Sequence, residues 1–263
     1  MSTCLSRMLT AIALVSWSLG GNAALDVLRP RTIELNAFDA VKFASVTDDE
    51  AKTGVTLALF PQGAQAAVHI SGGGPASRES PVIGPWAAPT PVNAVVLAGG
   101  SAYGLAAADG VMSCLEEHGI GFDTGRAKVP IVVQSDIYDL GYGSAARRPD
   151  AAMGRQACEL ALSGSTIQSG SYGAGSGATV GKLRGMRRAQ KAGQGIAVLQ
   201  AGELKVVALV VVNALGDVID ERNGTKLAGL LDERRLGFVD SREAFYARAP
   251  GAEAQKTTLP SAW

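Results

Sequence analysis

Short apolar runs, each ended by glycine or proline, alternate with segments of helical spacing and limit what this chain can fold into. Ala94-Val95-Val96-Leu97 is typical of a buried strand, and Gly99-Gly100 then leads into a segment whose apolar residues recur at helical spacing up to Gly119. A second helix is predicted to begin at Asp150, because aspartate is a good N-cap. The pattern predicts α and β elements without an internal repeat.

The same pattern predicts further strands and one hairpin. Strands are predicted at residues 40–46, 54–60, 66–70 and 130–133. Residues 194–199 and 204–213 are predicted to form a hairpin turned at Ala201-Gly202, and the second run is so continuously apolar that it is expected to be buried on both faces. Residues 72–92 are predicted to form a loop, and residues 241–247 a short helix.

Charge balance and residue types argue against several classes of function. The 263 residues include 24 basic and 24 acidic side chains, so nothing in the composition favours binding to nucleic-acid phosphates. Cys4, Cys114 and Cys158 lack the spacing of metal ligands, and the two histidines lie far apart, so we predict neither a metal nor another cofactor. His118 precedes Gly119 and is predicted to end a helix rather than to catalyse.

Residues 1–23 have the pattern of a secretory signal peptide. An apolar stretch from Met8 to Leu19 is followed by small residues suited to cleavage after Ala23, and it is too short for a good membrane span. We therefore expect a periplasmic or secreted protein without a membrane anchor. An N-terminal core helix in a cytoplasmic protein is the alternative. The sequence leaves open whether Cys114 and Cys158 pair or remain buried thiols.

A run of Gly, Ser, Ala and Thr over residues 173–182 ends in a single lysine, Lys182. It is not a nucleotide-binding phosphate loop, because Ser176 replaces the first required glycine and Leu183 replaces the magnesium-binding Ser or Thr. The glycines around Ser101 are likewise out of register for a nucleophile elbow. A lysine at the end of such a loop can be desolvated, which lowers its proton affinity and suits it to support a nucleophile.

Several segments resemble one family, the DmpA-type aminopeptidases (L-aminopeptidase/D-esterase-amidases), which include nylon-oligomer endo-hydrolases. The matching stretches are residues 53–56, 97–105, 137–139, 173–182 and 211–218, in the family's order and spacing. The resemblance implies an α+β fold, a layered αββα sandwich of the DmpA and ornithine acetyltransferase type. It also implies an N-terminal-nucleophile hydrolase, which cuts its own backbone before a Ser or Thr and uses the new α-amino group as base.

The resemblance assigns roles to individual residues. Thr257 aligns with the nucleophile, and self-cleavage would occur between Lys256 and Thr257. Lys182 would lie beside the Thr257 hydroxyl and lower the cost of ionising it, Asn213 would donate its side-chain amide to the oxyanion, and Tyr138 would hydrogen-bond in the same pocket. The substrates implied are small peptides, amides or esters, and the family suggests a homo-oligomer.

The chain departs from the family pattern at and after the nucleophile. Lys256 stands where the nylon-hydrolase type has Asn, and the family's β chain, with its acidic residues, is replaced by a few residues that begin with Pro260. We therefore expect residues 24–256 to form an α-chain-like hydrolase domain and residues 257–263 to be a remnant of the β-chain start. This polypeptide is expected to be inactive alone. Alternatively it is a non-catalytic subunit that assembles with a separately encoded β chain; acyl transfer is less favoured.

Overall fold

The computed structural model describes residues 29–247, so the expectations for residues 1–23 and 248–263 lie outside the described residues. The strands are β1 (Arg31–Thr32), β2 (Lys42–Asp48), β3 (Thr53–Ala64), β4 (Ala76–Arg78), β5 (Val92–Ala98), β6 (Phe122–Asp123), β7 (Lys128–Val129), β8 (Val132–Asp136), β9 (Thr179–Val180), β10 (Gln190–Lys191), β11 (Gln194–Ala201), β12 (Leu204–Val211), β13 (Val218–Asp220) and β14 (Thr225–Ala228). The α-helices are α1 (Ala107–Glu117), α2 (Ala151–Leu162) and α3 (Ser241–Tyr246). These elements make an α+β fold, as predicted.

The described residues group into two compact units. The smaller unit contains residues 29–38 and 196–208, and the larger unit contains residues 39–195 and 209–247. No helix within residues 29–247 is long and apolar enough to cross a membrane.

A mixed five-stranded sheet organises the larger unit. Its strand order is β2-β3-β5-β8-β4, and only β5 and β8 run parallel. Between β5 and β8 the chain passes through a 3₁₀ turn at Ser101–Ala106 and α1, as expected for a crossover between parallel strands. The predicted strand 94–97 is therefore confirmed as the buried centre of the sheet.

Two helices cover one face of this sheet. α1 and α2 pack against each other and against the sheet, and the core between them contains Leu57, Val96 and Val111. Asp150 begins α2 as predicted, because its Oδ1 accepts a hydrogen bond from the Met153 amide at 2.9 Å. His118 ends α1, also as predicted.

A disulfide joins the two helices. Cys114 in α1 and Cys158 in α2 are both fully buried and are bonded to each other across a sequence separation of 44 residues. The structure thus answers a question that the sequence left open.

The opposite face of the sheet is covered by the start of the glycine-rich run. The 3₁₀ turn Gly173–Gly175 lies on β2, β3 and β5, and the Ala174 amide donates to Thr56 Oγ1 at 3.1 Å. A Cβ at Gly173 would overlap the Thr56 hydroxyl, so this contact requires glycine. Thr56 in turn donates to Gln194 Oε1 at 2.6 Å, and both residues are buried. The small residues of the run therefore let one backbone lie directly on another.

The hairpin of β11 and β12 is confirmed, but the burial predicted for its second strand is wrong. β12 is an edge strand of the sheet β1-β11-β12, and its residues alternate between exposed and half-buried. The described residues cover only one of its faces. The apolar sequence of β12 therefore could not reveal which layers would pack on it.

Three smaller predictions need correction. Residues 66–70, predicted as a strand, are irregular and exposed. β3 does not stop at Pro61 but continues to Ala64. The pairing of β3 with β5 is irregular between Leu59 and Ala64, so no regular backbone hydrogen bond is required from Pro61, which has no N–H to donate. The loop predicted at 72–92 contains the short strand β4, which pairs with β8.

Candidate functional site

Lys182 is held at a tight turn by its neighbours in the chain. Gly181, which precedes it, has φ of 69°, and a Cβ at that position would overlap the backbone of Gly229 and Leu230. The amides of Gly181 and Lys182 donate to the carbonyls of Gly216 and Leu215, both at 2.8 Å. The glycine-rich run thus fixes the position of the Lys182 Cα atom, from which the side chain extends.

The Lys182 ammonium is surrounded by neutral oxygen atoms. Its Nζ donates to Asn213 Oδ1 at 2.7 Å, to the Thr179 carbonyl at 2.8 Å and to the Asn213 carbonyl at 3.2 Å. An ammonium has three donors, and these three acceptors match them. None of the three partners is a carboxylate that would compensate the positive charge.

Burial lowers the pKa of Lys182 to about 8. The side chain is half-buried, and removing a charge from water without a counter-ion disfavours the ammonium form. The lysine therefore changes protonation near neutral pH, where a proton donor or acceptor is most effective.

The side chain of Asn213 connects three segments of the site. Its Oδ1 accepts from Lys182 Nζ and, at 3.1 Å, from the Thr179 amide, while its Nδ2 donates to the Tyr138 carbonyl at 2.9 Å. These partners fix the orientation of the amide, since Oδ1 faces only donors and Nδ2 faces an acceptor. Nδ2 carries two hydrogens, so one donor remains for a developing oxyanion.

Tyr138 reaches this cluster through its backbone. Tyr138 lies two residues after the end of β8 at Asp136. Its carbonyl accepts the hydrogen bond from Asn213 Nδ2, whereas its side chain is 63 % exposed. The structure thus brings the side chains of Lys182 and Asn213 and the backbone of Tyr138 together. Lys256 and Thr257, the predicted self-cleavage pair, lie outside the described residues.

Sequence reasoning missed Asp139, which lies one residue beyond Tyr138. Asp139 is buried, and its two oxygens accept from Thr53 Oγ1 and from the Gly100 amide, both at 2.7 Å. It therefore fixes the segment that carries Tyr138 to β3 and to the turn after β5. Its place in the matching stretch Ile137-Tyr138-Asp139 was the available signal.

A second missed carboxyl, Asp136, lies at the end of β8. Its Oδ1 accepts from Gln134 Nε2 at 2.8 Å, and its buried Oδ2 has no hydrogen-bond partner among the described residues. Burial raises the pKa of Asp136 to about 7, and the nearby charge of Asp139 adds to the effect. No sequence pattern marks this residue, because its burial comes from the surrounding fold.

Lys191 is a second lysine whose charge is buried without a counter-ion. Its Nζ donates to the carbonyls of Gly175 at 2.9 Å, Ala178 at 3.2 Å and Ala192 at 2.5 Å. Burial lowers the pKa of Lys191 to about 8. Because two of its acceptors belong to the glycine-rich run, Lys191 fixes the loop that leads to Lys182.

Asp217, in the last matching stretch, holds the segments around the site. It forms an ion pair with Lys226 at 2.7 Å and accepts from the Leu230 amide and the Ser241 hydroxyl. Burial would raise the pKa of Asp217, but these hydrogen bonds and the Lys226 charge lower it below its ordinary value. Within residues 29–247 there is no cluster of three or more His, Cys, Asp or Glu residues that could hold a metal ion.

Comparison with known proteins places this arrangement in a family. The family model described as peptidase family S58 matches residues 39–237 of this chain. All the site residues described in this subsection except Ser241 lie within that range. The chain belongs to peptidase family S58. The family resemblance inferred from the motifs is therefore confirmed.

Members of family S58 with curated descriptions match much of this chain. It is 43 % identical over 190 residues to an uncharacterised aminopeptidase of Mycobacterium leprae, covering 70 % of this chain and 51 % of that protein. It is 36 % identical over 248 residues to the 6-aminohexanoate-oligomer endohydrolase of Agromyces, covering 91 % of this chain and 66 % of that protein. The chain thus spans about half to two thirds of the length of these S58 relatives.

The fold also resembles a solved structure. A β-aminopeptidase of Burkholderia aligns with a TM-score of 0.50 and 21 % sequence identity, covering 68 % of this chain and 51 % of that one. At this identity the likeness concerns the fold alone, and it agrees with the α+β assignment.

Proposed function

We propose that this S58 chain provides the oxyanion-binding and lysine-bearing part of an amide or peptide hydrolase. The observation that carries the proposal is the Lys182–Asn213 contact, which combines a desolvated amine with a fixed amide donor. Such a pair suits a reaction in which a hydroxyl loses a proton and a carbonyl oxygen gains negative charge. For the whole protein we propose the layered αββα sandwich of an N-terminal-nucleophile hydrolase.

Thr257 is the proposed nucleophile, and its hydroxyl would attack the substrate carbonyl carbon. The hydroxyl proton would pass to the free α-amino group that self-cleavage after Lys256 creates, since such an amine has a pKa of roughly 8. The carbon–nitrogen bond would then break, with that proton going to the leaving amine. Water would release the acyl group from Thr257 and restore the hydroxyl.

The described residues would act around this nucleophile. Asn213 Nδ2 would donate its second hydrogen to the oxyanion, a contribution of roughly 3 kcal/mol when such donors are removed from other enzymes. The Lys182 ammonium would lower the cost of ionising the hydroxyl. Tyr138 would position Asn213 through its carbonyl.

Intact mass spectrometry combined with an amidase assay tests the assignment of Thr257. Self-processing would yield two chains separated at Lys256-Thr257, and Thr257→Ala would leave a single chain. Hydrolysis of an aminoacyl-p-nitroanilide, by the chain alone or together with a complementing chain, would support the mechanism if it disappears in Thr257→Ala and falls at least 100-fold in Asn213→Ala. Processing or turnover that survives Thr257→Ala would refute it.

The second candidate is an α-type subunit that needs a separately encoded β chain. Turnover by the polypeptide alone distinguishes this candidate from the first one. If the candidate is right, the 263-residue polypeptide alone shows no turnover. Turnover would then appear on co-expression with a chain matching the relatives' C-terminal part. Turnover by the polypeptide alone would reject this candidate.

Substrate, compartment and assembly are also proposals. The substrates proposed are small peptides, amides or esters, in keeping with the names of the S58 relatives, and homo-oligomerisation is proposed from the resemblance. Export to the periplasm or medium is supported by the buried Cys114–Cys158 disulfide, because such bonds persist in oxidising compartments. The mass of the purified protein would show whether residues 1–23 are removed.

A further inference from the structure

A small apolar pocket lies beside the segment that carries Lys182. It has a volume of about 250 Å³ and is lined by Leu183, Leu215, Gly216, Ser241, Phe245 and Tyr246. Arg242 is the only charged residue among the residues that line it. A space of this size holds roughly eight water molecules, which is too small for a drug-sized ligand but sufficient for one apolar side chain.

The pocket is lined in part by the two chain segments that carry Lys182 and Asn213. Leu183 follows Lys182 directly, and the Lys182 amide donates to the carbonyl of Leu215. Asn213 precedes Leu215 by two residues on the same segment. A molecule whose reacting carbonyl met Asn213 would therefore have an adjoining group close to this pocket.

The far wall of the pocket is α3, and it is fixed in place. Arg184 Nη2 donates to the Ala244 carbonyl at 2.6 Å, which ties α3 to the turn that begins at Lys182. Ser241 donates to Asp217 Oδ1 at 2.8 Å. The pocket is thus built between two segments that are bonded to each other.

Its apolar residues remain accessible. Leu215 is 62 % exposed, Phe245 56 % and Tyr246 81 %. Large apolar side chains that are grouped on a surface commonly mark a binding site. The charge that lines the pocket indicates which kind of ligand group the pocket would favour. The guanidinium of Arg242, the charged group of the lining, favours an anionic group such as a free carboxylate over a substrate ammonium.

We propose that this pocket binds the leaving side of the substrate, namely an apolar residue that carries a free C-terminal carboxylate directed at Arg242. The assignment of the leaving side rests on the proposed hydrolase function, whereas the binding preference itself does not require turnover. The pocket would thus select amides whose amine product is a leucine-like amino acid.

Binding of the amine product tests the proposal without catalysis. L-Leucine, L-alanine and L-leucinamide are titrated into the full-length protein and followed by ¹H–¹⁵N NMR. L-Leucine should bind about tenfold more tightly than L-alanine, because each buried methylene is worth roughly a factor of four and three extra carbons are only partly covered. It should bind roughly threefold more tightly than L-leucinamide because of its carboxylate, and the shifts should include the amides of Leu183 and Leu215.

Three variants give the proposal its controls. Leu215→Asp should remove the preference for leucine over alanine, and Arg242→Gln should remove the preference for leucine over leucinamide. Leu236→Asp changes another exposed leucine, 83 % accessible against 62 % for Leu215, which does not line the pocket, and it should leave both preferences intact. If Leu215→Asp does not fold, Phe245→Ser serves in its place.

The outcomes separate this proposal from the proposed function. Equal affinities for leucine and alanine in the wild type would overturn the pocket, as would a preference that survives Leu215→Asp and Phe245→Ser. If processing or turnover survived Thr257→Ala, the proposed function would fail, but the measured affinities would stand and only the assignment to the leaving side would be lost.

Discussion

Lys182 Nζ lies 2.7 Å from Asn213 Oδ1, and this contact joins the end of the glycine-rich run to the segment that follows β12. The two residues are separated by 31 positions in the chain. Their contact orients the Asn213 amide so that Nδ2 faces the Tyr138 carbonyl. One hydrogen bond thereby sets both the environment of the amine and the direction of the amide donor.

Replacing Asn213 by Asp should raise the pKa of Lys182. In the native protein that pKa is about 8, because burial penalises the ammonium and its partners are neutral. A carboxylate at the position of Oδ1 would favour the ammonium. NMR titration of the lysine Cε carbons should show the Lys182 midpoint moving up by a unit or more, with Lys182→Met identifying the signal. An unchanged midpoint would contradict the contact.

The same lysine should make stability depend on pH. Its pKa is lowered on folding from 10.5 to about 8, so between these values the unfolded chain binds more protons than the folded one. The contribution of Lys182 to the free energy of unfolding should therefore rise as pH rises from about 8 to 10.5. Urea titrations at several pH values should show a shallower rise in Lys182→Met than in the wild type.

Alanine at Gly181 should be far more damaging than alanine at Gly224. Both glycines have positive φ, 69° and 71°, so both substitutions carry the strain of a residue with positive φ. Only at Gly181 would the new Cβ overlap other backbone, whereas nothing lies within 4 Å at Gly224. We expect Gly224→Ala to cost about 1 kcal/mol and Gly181→Ala at least twice that by urea unfolding. Equal losses would contradict the close approach to Gly229.

Asp136→Asn should stabilise the protein at pH 8 and have less effect at pH 5. The pKa of Asp136 is raised on folding from 3.8 to about 7, so its stabilising contribution is complete below about 3.8 and is lost as pH rises through 7. Asparagine stays neutral at every pH. Melting temperatures measured from pH 4 to 9 should fall less steeply in the variant. Parallel curves for the two proteins would refute the assignment.

Removing the Cys114–Cys158 disulfide should destabilise the larger unit strongly. The bond closes a loop of 44 residues, for which the chain-entropy argument gives about 4 kcal/mol. The double variant Cys114→Ala/Cys158→Ala should lower the free energy of unfolding by roughly that amount. Tryptic mapping with and without reductant would verify the pairing in the native protein. Two free thiols in the non-reduced protein would contradict it.

Local sequence signals predicted much of this fold. Asp150 begins a helix because its carboxylate satisfies an amide three residues later, which requires no distant partner. The apolar run at 94–97 became a central strand, and His118 ended a helix. The prediction of a strand at 66–70 was wrong, because this short apolar run pairs with no strand among the described residues.

The site could be predicted only in part. The motifs placed Lys182, Asn213 and Tyr138 in one predicted pocket, but they did not indicate that Tyr138 contacts Asn213 through its backbone carbonyl. They did not identify Asp139 or Lys191, whose importance comes from burial and from partners distant in sequence. Spacing alone does not report which atoms of a residue face a neighbour.

The sequence by itself determined the family and most of the main strands and helices. These depend on residue types and spacings that act within a few positions of each other. Only the tertiary structure decided that Cys114 pairs with Cys158, that β12 is covered on one face, and that Lys182 is desolvated among neutral oxygens. Burial and charge environment depend on segments far apart in the chain, and the packed structure alone brings those segments together.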